Sequence, residues 1–424
     1  MMAKVEQYSR MSMGYNKSLL PFFALILFLI SPFIGCMFSL YNISKNRFVN
    51  ISYVLVVLFA GLYGYTNLPY SNDDITRHYQ LFKTISSLDT FSDFVLYQAV
   101  SFKPDFLIDY LYWIVGHFSD NHQLVGFLGS AMYYGLLLAI IRNWLGLFSQ
   151  THYGPAFWCA ILSMLALIPT NEFCGMRQGN ANALLLFFIT WPKFYNFPKL
   201  VRILLLILPC LLHFSIFPYI LIFVLASNIN SKKAVLLSAA MALSCIFVVP
   251  IMQSLMGVLP KLGTIGVGIA MKIDEYMFNG DIENLLYSGS RLRFYFIVLL
   301  ITISPFMLNL IRKAKSEDKN FDTFIRFTYL TLGYLVFTSP TFILSRSLMI
   351  FKLIACLLIS YLAFSSTVST KNNQLYKIIT YTLIFSGVIY LIQAQEYRVI
   401  NPAIFYLPLP ELLQIETDIY GYHV

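Results

Sequence analysis

The feature that most constrains this chain is the recurrence of long apolar runs. A helix needs about 20 mainly apolar residues to cross the hydrocarbon of a bilayer. Runs of that character cover residues 20–41, 48–65, 124–141, 153–168 and 173–191, then 234–255, 294–311, 324–337, 348–364 and 376–392. Hydrophobic residues make up 58% of the 424 and charged residues only 12%, so a water-soluble surface cannot be built from this composition. The expected fold is therefore all-α: a polytopic membrane helix bundle that crosses roughly ten to twelve times, with short or broken helices inside the membrane.

The net charge of +9 comes from Lys and Arg gathered in short loops between the runs. That placement is a topology signal and gives no indication of nucleic acid. Lys45 with Arg47, Arg142, Lys193 with Lys199 and Arg202, Lys232 with Lys233, Arg312 with Lys313 and Lys315, and Lys371 with Lys377 all belong on the cytoplasmic face. The opposite face then holds a first loop of 67–103, a second loop of 256–293 and a polar tail of 395–424. This alternation requires two irregular stretches, 104–118 and 200–226, to enter the membrane without a full crossing. It also puts the N-terminus outside, against the sense of Lys4, Arg10 and Lys17. The six cysteines form no C-x-x-C pair and read as inert packing residues; the six histidines show no metal-ligand spacing.

With no soluble domain, any chemistry falls to the helices and the two outer loops. The first loop carries Asp73, Asp74, Arg77, His78 and Tyr79. Two carboxylates, a guanidinium and an imidazole so close together can act as an acid/base cluster; alternatively Asp73 or Asp74 simply caps a helix. There is no D-x-D to hold a metal-bound nucleotide sugar. Arg177, in Arg177-Gln178-Gly179, opens an apolar run where a charge costs a few kcal/mol. A guanidinium fork suits a pyrophosphate, and Gly179 allows close approach; the alternative is an arginine that reaches back to the interface. His213 interrupts the 200–226 stretch, where it could pack helices or transfer protons. Arg291 and Arg293 close the second loop, and Arg346 and Lys352 begin a later helix. Together these cations could form an anion site; singly each could be an interfacial anchor.

In order along the chain, the acidic motif ending at Tyr79, the helix start at Pro104 and Phe106, the Arg177-Gln178-Gly179 step and His213-x-Ser215 resemble the EpsG-like branch of the Wzy-type polysaccharide polymerases. The series covers roughly residues 65–226. Lys103 and Asp105 depart from the family's usual acidic residue and glycine, and the spacing to Tyr79 leaves open which of Asp73 and Asp74 is the equivalent acid. The resemblance implies an O-antigen, capsule or exopolysaccharide polymerase in a bacterial inner membrane. Such an enzyme moves a growing glycan from its polyprenyl pyrophosphate to a fresh lipid-linked repeat unit on the periplasmic face. It implies a base from Asp73, Asp74 or His213, and pyrophosphate or substrate contacts from Arg77, Tyr79, Arg177, Gln178, Arg291, Arg293 and Arg346. No cofactor or metal is called for, since the leaving group is already activated. The implied partners are lipid-linked oligosaccharides, membrane lipids, and a flippase and chain-length regulator of the same pathway.

Two rivals remain at this level. A flippase for lipid-linked glycans usually shows internal repeats, and none is detectable. An O-antigen ligase would share much of the same site.

Overall fold

The computed structural model describes residues 19–69, 74–101, 106–146, 150–168, 176–263, 266–267, 270–271, 274, 291–314, 319–341, 343–365, 368–393 and 400–420. Among these residues there are helices and connecting turns but no strand, so the chain is an all-α membrane helix bundle. Three helical stretches have the length and apolarity of a full crossing: Gln123–Leu145, Ser231–Lys261 and Ser347–Phe364. The first is helix α7; the third lies in α16 (Ile343–Phe364), which forms the core of the bundle. The second combines α12 (Ser231–Leu243) and α13 (Val248–Val258), whose outer side is almost bare and fits contact with lipid.

The first apolar run is broken. Ser31 adopts an extended conformation and caps Ile34, separating α1 (Leu19–Ile30) from α2 (Pro32–Ser44). Pro32 at the first helical position explains the restart, because its missing N–H would be unpaired there in any case. Next, α3 (Val49–Tyr65) packs antiparallel to α7. Gly64 and Gly126 lie backbone to backbone at their crossing, and Gly135 of α7 meets Val57 and Tyr53 further along α3. Small residues allow this approach, and dispersion between the close backbones holds the pair in the absence of a hydrophobic drive.

The segment that follows α3 is largely helical where it is described. Asp74–Ser86 forms α4 and Phe91–Ser101 forms α5. The irregular stretch that follows gives α6 (Leu107–Gly116), ten residues and so about 15 Å, too short to cross. It packs against α4, and the rings of Phe91, Phe94, Tyr110 and Trp113 join it to α5.

The stretch of 200–226 is two helices that begin and end on one face. After α8 (Gln150–Leu167) and α9 (Gln178–Thr190), α10 (Lys199–Leu212) runs inward to an extended His213. A single 3-10 turn follows, then α11 (Phe217–Asn228) runs back. Phe223 of α11 lies 6.1 Å from Phe194, just before α10, which fixes the return. The basic loops identified from sequence accordingly share one face, at the far ends of α7 and α16. There Trp144 packs on Phe321, Phe324 and Tyr361. Arg326 of α15 (Lys319–Phe337) pins the end of α11 by donating to the Ile229 carbonyl.

Three elements finish the chain. α14 (Arg291–Ala314) precedes α15, α17 (Thr370–Gln393) packs on α8 and α16, and a tail of 400–420 includes the short α18 (Leu409–Leu412). The tail docks at the α3–α7 crossing. Gln123 donates to the carbonyls of Tyr65 and Ile415 at 2.8 and 2.9 Å, and the Tyr65 hydroxyl donates to the Leu413 carbonyl. The hydroxyls of Thr66, Thr190, Thr328 and Thr380 bond the backbone of their own helices, which pairs those donors within the hydrocarbon. Cys36, Cys159, Cys210, Cys245 and Cys356 are free thiols.

Candidate functional site

The site forms at the face opposite the basic loops, where α4 starts. Asp74 is the first residue of α4, a favourable place for a carboxylate against the helix dipole. Its side chain is 46% exposed. The helical period sets Arg77 and His78 three and four residues on, over the same surface. Arg77 Nη1 lies 3.7 Å from one Asp74 oxygen, and His78 Nε2 lies 3.8 Å from the other. Behind this open edge the site becomes dry. His78 is buried, and its Nδ1 lies 3.0 Å from the Tyr112 hydroxyl, which is fully enclosed between α4 and α6. A chain of groups thus runs inward from an exposed carboxylate through an imidazole to a phenol.

With a proton on Nε2, towards the carboxylate, Nδ1 is free to accept from the Tyr112 hydroxyl. The two contacts hold the ring between Asp74 and Tyr112. Asp109 is buried one turn before Tyr112 and accepts from Gln98 at 2.9 Å. Asp109, Arg177, Asp74 and Tyr79 all lie near enough to act electrostatically on Tyr112. The Arg177 step is therefore gathered to the acidic motif, although about a hundred residues separate them in sequence.

Arg177 is half-buried at the N-cap of α9, and Gln178 is the first residue of that helix. Met176 is buried against Gly129 of α7, and Asn180 donates to the Met176 carbonyl at 2.8 Å, so the entry of α9 is held firmly. α14 and α16 also start on this face, with Arg291 and Arg293 in the first turn of one and Arg346 in the first turn of the other. Cations are disfavoured at a helix N-terminus by the dipole. A bound anion would offset that cost, since helix N-termini favour negative charge.

Tyr79 is wholly buried, with its ring 4.8 Å from His122 and its hydroxyl against Gly126. It braces the α4–α7 junction from within. His213 sits in the α10–α11 break, whose 3-10 turn packs on α9. Asp73 lies outside the described residues, as do the side chains of Arg291, Arg293 and Arg346.

Several groups escape sequence reading. Tyr112 and Asp109 occupy an apolar stretch with no motif around them. His122 lies in a short connection, yet it pairs with the Thr417 carbonyl at 3.0 Å and thereby ties the tail to the back of Tyr79. Burial holds His122 below its ordinary value, with the Lys83 charge adding to that and the Thr417 carbonyl and the Asp418 charge opposing it. Among the described residues no group of His, Cys, Asp and Glu could hold a metal ion.

The family model that matches is that of the EpsG family, over residues 66–406. No curated protein and no solved structure is detectably similar. The matched region runs from the end of α3, through the Asp74–His78–Tyr112 chain and the arginine-bearing helix starts, to the first turn of the tail. This membrane protein belongs to the EpsG family.

Proposed function

We propose that the chain is a glycosyltransferase that polymerises lipid-linked oligosaccharide repeat units at the outer face of a bacterial cytoplasmic membrane. The observation that carries this reading is the exposed Asp74 carboxylate, backed by buried His78 and by a Tyr112 that both Asp74 and Arg177 reach electrostatically. EpsG membership supports a polysaccharide polymerase role.

The acceptor hydroxyl of a fresh repeat unit loses its proton to Asp74 as its oxygen bonds the anomeric carbon of the growing glycan. The bond from that carbon to the pyrophosphate oxygen breaks, and polyprenyl pyrophosphate leaves with the electron pair. Negative charge grows on the leaving group, so fixed cations and helix starts lower the barrier. Arg177 supplies this role, with Arg291, Arg293 and Arg346 at the neighbouring helix starts. Gln178 and Arg77 contact the substrate at the rim. His213, at the re-entrant break, is the second candidate for proton transfer.

The test is a deletion strain complemented with variants at normal protein level and examined for surface glycan length. Asp74→Asn should leave single repeat units attached and no ladder. A full ladder from Asp74→Asn refutes the assignment of the base. Loss of every repeat unit in the deletion strain would instead assign a flippase or ligase.

A further inference from the structure

Below Arg177 the structure holds a second polar site that the acid/base chain does not use. Asn182 lies one turn into α9, about 6 Å from its start. It is 2% exposed, and neither its amide nitrogen nor its amide oxygen has a hydrogen-bond partner among the described residues. An amide left so in an apolar bundle costs about 1–3 kcal/mol. Asn182 lines a cavity of about 10 Å³, room for one oxygen-sized atom, together with Gly179, Tyr133 and Lys352. Lys352 sits more than two turns into α16, where a charge is expensive and marks function by default. Gly179 adds a backbone N–H from the first turn of α9. Apolar Ile168, Met349 and Leu353 complete the lining, and the polar groups among them bring donors and a positive charge that suit an anionic oxygen.

The wall of this cavity at Ile168 is shared with a far larger one. The larger cavity has a volume of about 410 Å³ between α2, α3, α7 and α8, closed at one end by the tail at Ile404 and Phe405. Its lining is almost wholly apolar, from Phe59 and Tyr63 on one side to Leu137 and Ile141 on the other. Met37, Leu165 and Phe405 form an exposed rim through which a chain can enter sideways from the bilayer.

We propose that the two cavities together bind a polyprenyl phosphate, with a phosphoryl oxygen at Asn182 and Lys352 and the isoprenoid chain in the apolar chamber. The identification rests on the polymerase reading for its isoprenoid. The pairing of a one-oxygen cationic pocket with a long apolar one comes from geometry alone. It locates the lipid inside the bundle, beneath Arg177, rather than along the outer surface of the helices.

The test uses the purified full-length protein in nanodiscs and a photoreactive polyprenyl diphosphate. Label should land on α2, α3 or α8. Unlabelled polyprenyl diphosphate should compete at least about tenfold better than the uncharged polyprenol, the margin of a charge-assisted contact. In Lys352→Met and Asn182→Ala that margin should shrink to within about threefold. Ala60→Phe, which fills the chamber, should weaken the diphosphate and the alcohol alike. Melting temperatures near that of the parent show that the variants are folded. The proposal is overturned if the margin survives in both polar variants, if label maps elsewhere, or if phosphatidylglycerol competes as well as the polyprenyl lipid. Binding is read without polymerisation. Loss of this site with a ladder that still depends on Asp74 removes the site alone, and the reverse removes only the polymerase reading.

Discussion

Gly126→Ala should break the backbone-to-backbone contact with Gly64 and disturb the site with it. A methyl group built on Gly126 would overlap the Gly64 carbonyl and reach 3.0 Å from the Tyr79 hydroxyl. The colliding partner is backbone, which cannot swing aside as a side-chain tip can. The helices α3 and α7 must part by on the order of 1 Å to recover ordinary contact. Overpacking of this kind costs about 1–3 kcal/mol, occasionally more. Alanine gains up to about 1 kcal/mol over glycine in helix propensity, which offsets part of that cost. The expected net loss is thus about 1–2 kcal/mol. Gly257→Ala is the control: nothing lies within 4 Å of the added methyl, so only the favourable propensity remains. Thermal unfolding of the purified proteins in one detergent should place Gly126→Ala below the parent and Gly257→Ala level with or above it. Because Tyr79 is pushed along with α4, Gly126→Ala should also shorten the glycan ladder while Gly257→Ala does not. A Gly126→Ala protein that melts with the parent and makes a full ladder would refute the backbone-to-backbone crossing and its coupling to Tyr79.

Tyr112→Phe removes only the hydroxyl that holds His78, so the glycan ladder should weaken while stability changes by about 1 kcal/mol in thermal unfolding. Arg177→Lys keeps a charge but loses the planar fork, and the ladder should fall well below that of the parent at equal protein level. Arg326→Ala leaves the Ile229 carbonyl without its donor and breaks the 3.2 Å pair with Asp322, at a cost of roughly 2–3 kcal/mol in the same melts. Burial favours the neutral form of His122 in the folded chain, so the stability it contributes is fullest above pH 6.5. It should be lost as the pH falls below 6.5 towards the depressed value of the folded state. Thermal unfolding across that range measures this, and His122→Gln should flatten the dependence.

Much of the architecture is legible in single stretches of sequence. The apolar runs report helices in lipid because a bilayer accepts little else, and that physics is local to each run. The basic loops share one face as their charge pattern requires. Even the irregularity of 200–226 is visible, since His213 and Pro218 interrupt an otherwise apolar stretch. The helical character of 74–101 is less legible, because α4 and α5 are polar on one side and too short to register as spans.

The site divides in the same way. Asp74, Arg77 and His78 cluster by helical period alone, so sequence places them together. What sequence cannot supply is their apposition to Tyr112 and Asp109 across a helix pair, or to Arg177 from the far side of α7. The return of the tail to His122, and the meeting of Asn182 with Lys352 from α9 and α16, are likewise long-range. Hydropathy and spacing are properties of neighbours along the chain. The burial of one polar group against another is decided by how closely the helices pack, and here the Gly64–Gly126 crossing and the broken helices at Ser31 and His213 set that packing. The sequence by itself determined a membrane bundle with charged motifs at one end; only the tertiary structure decided which charges face a buried partner and which cavity lies beneath them.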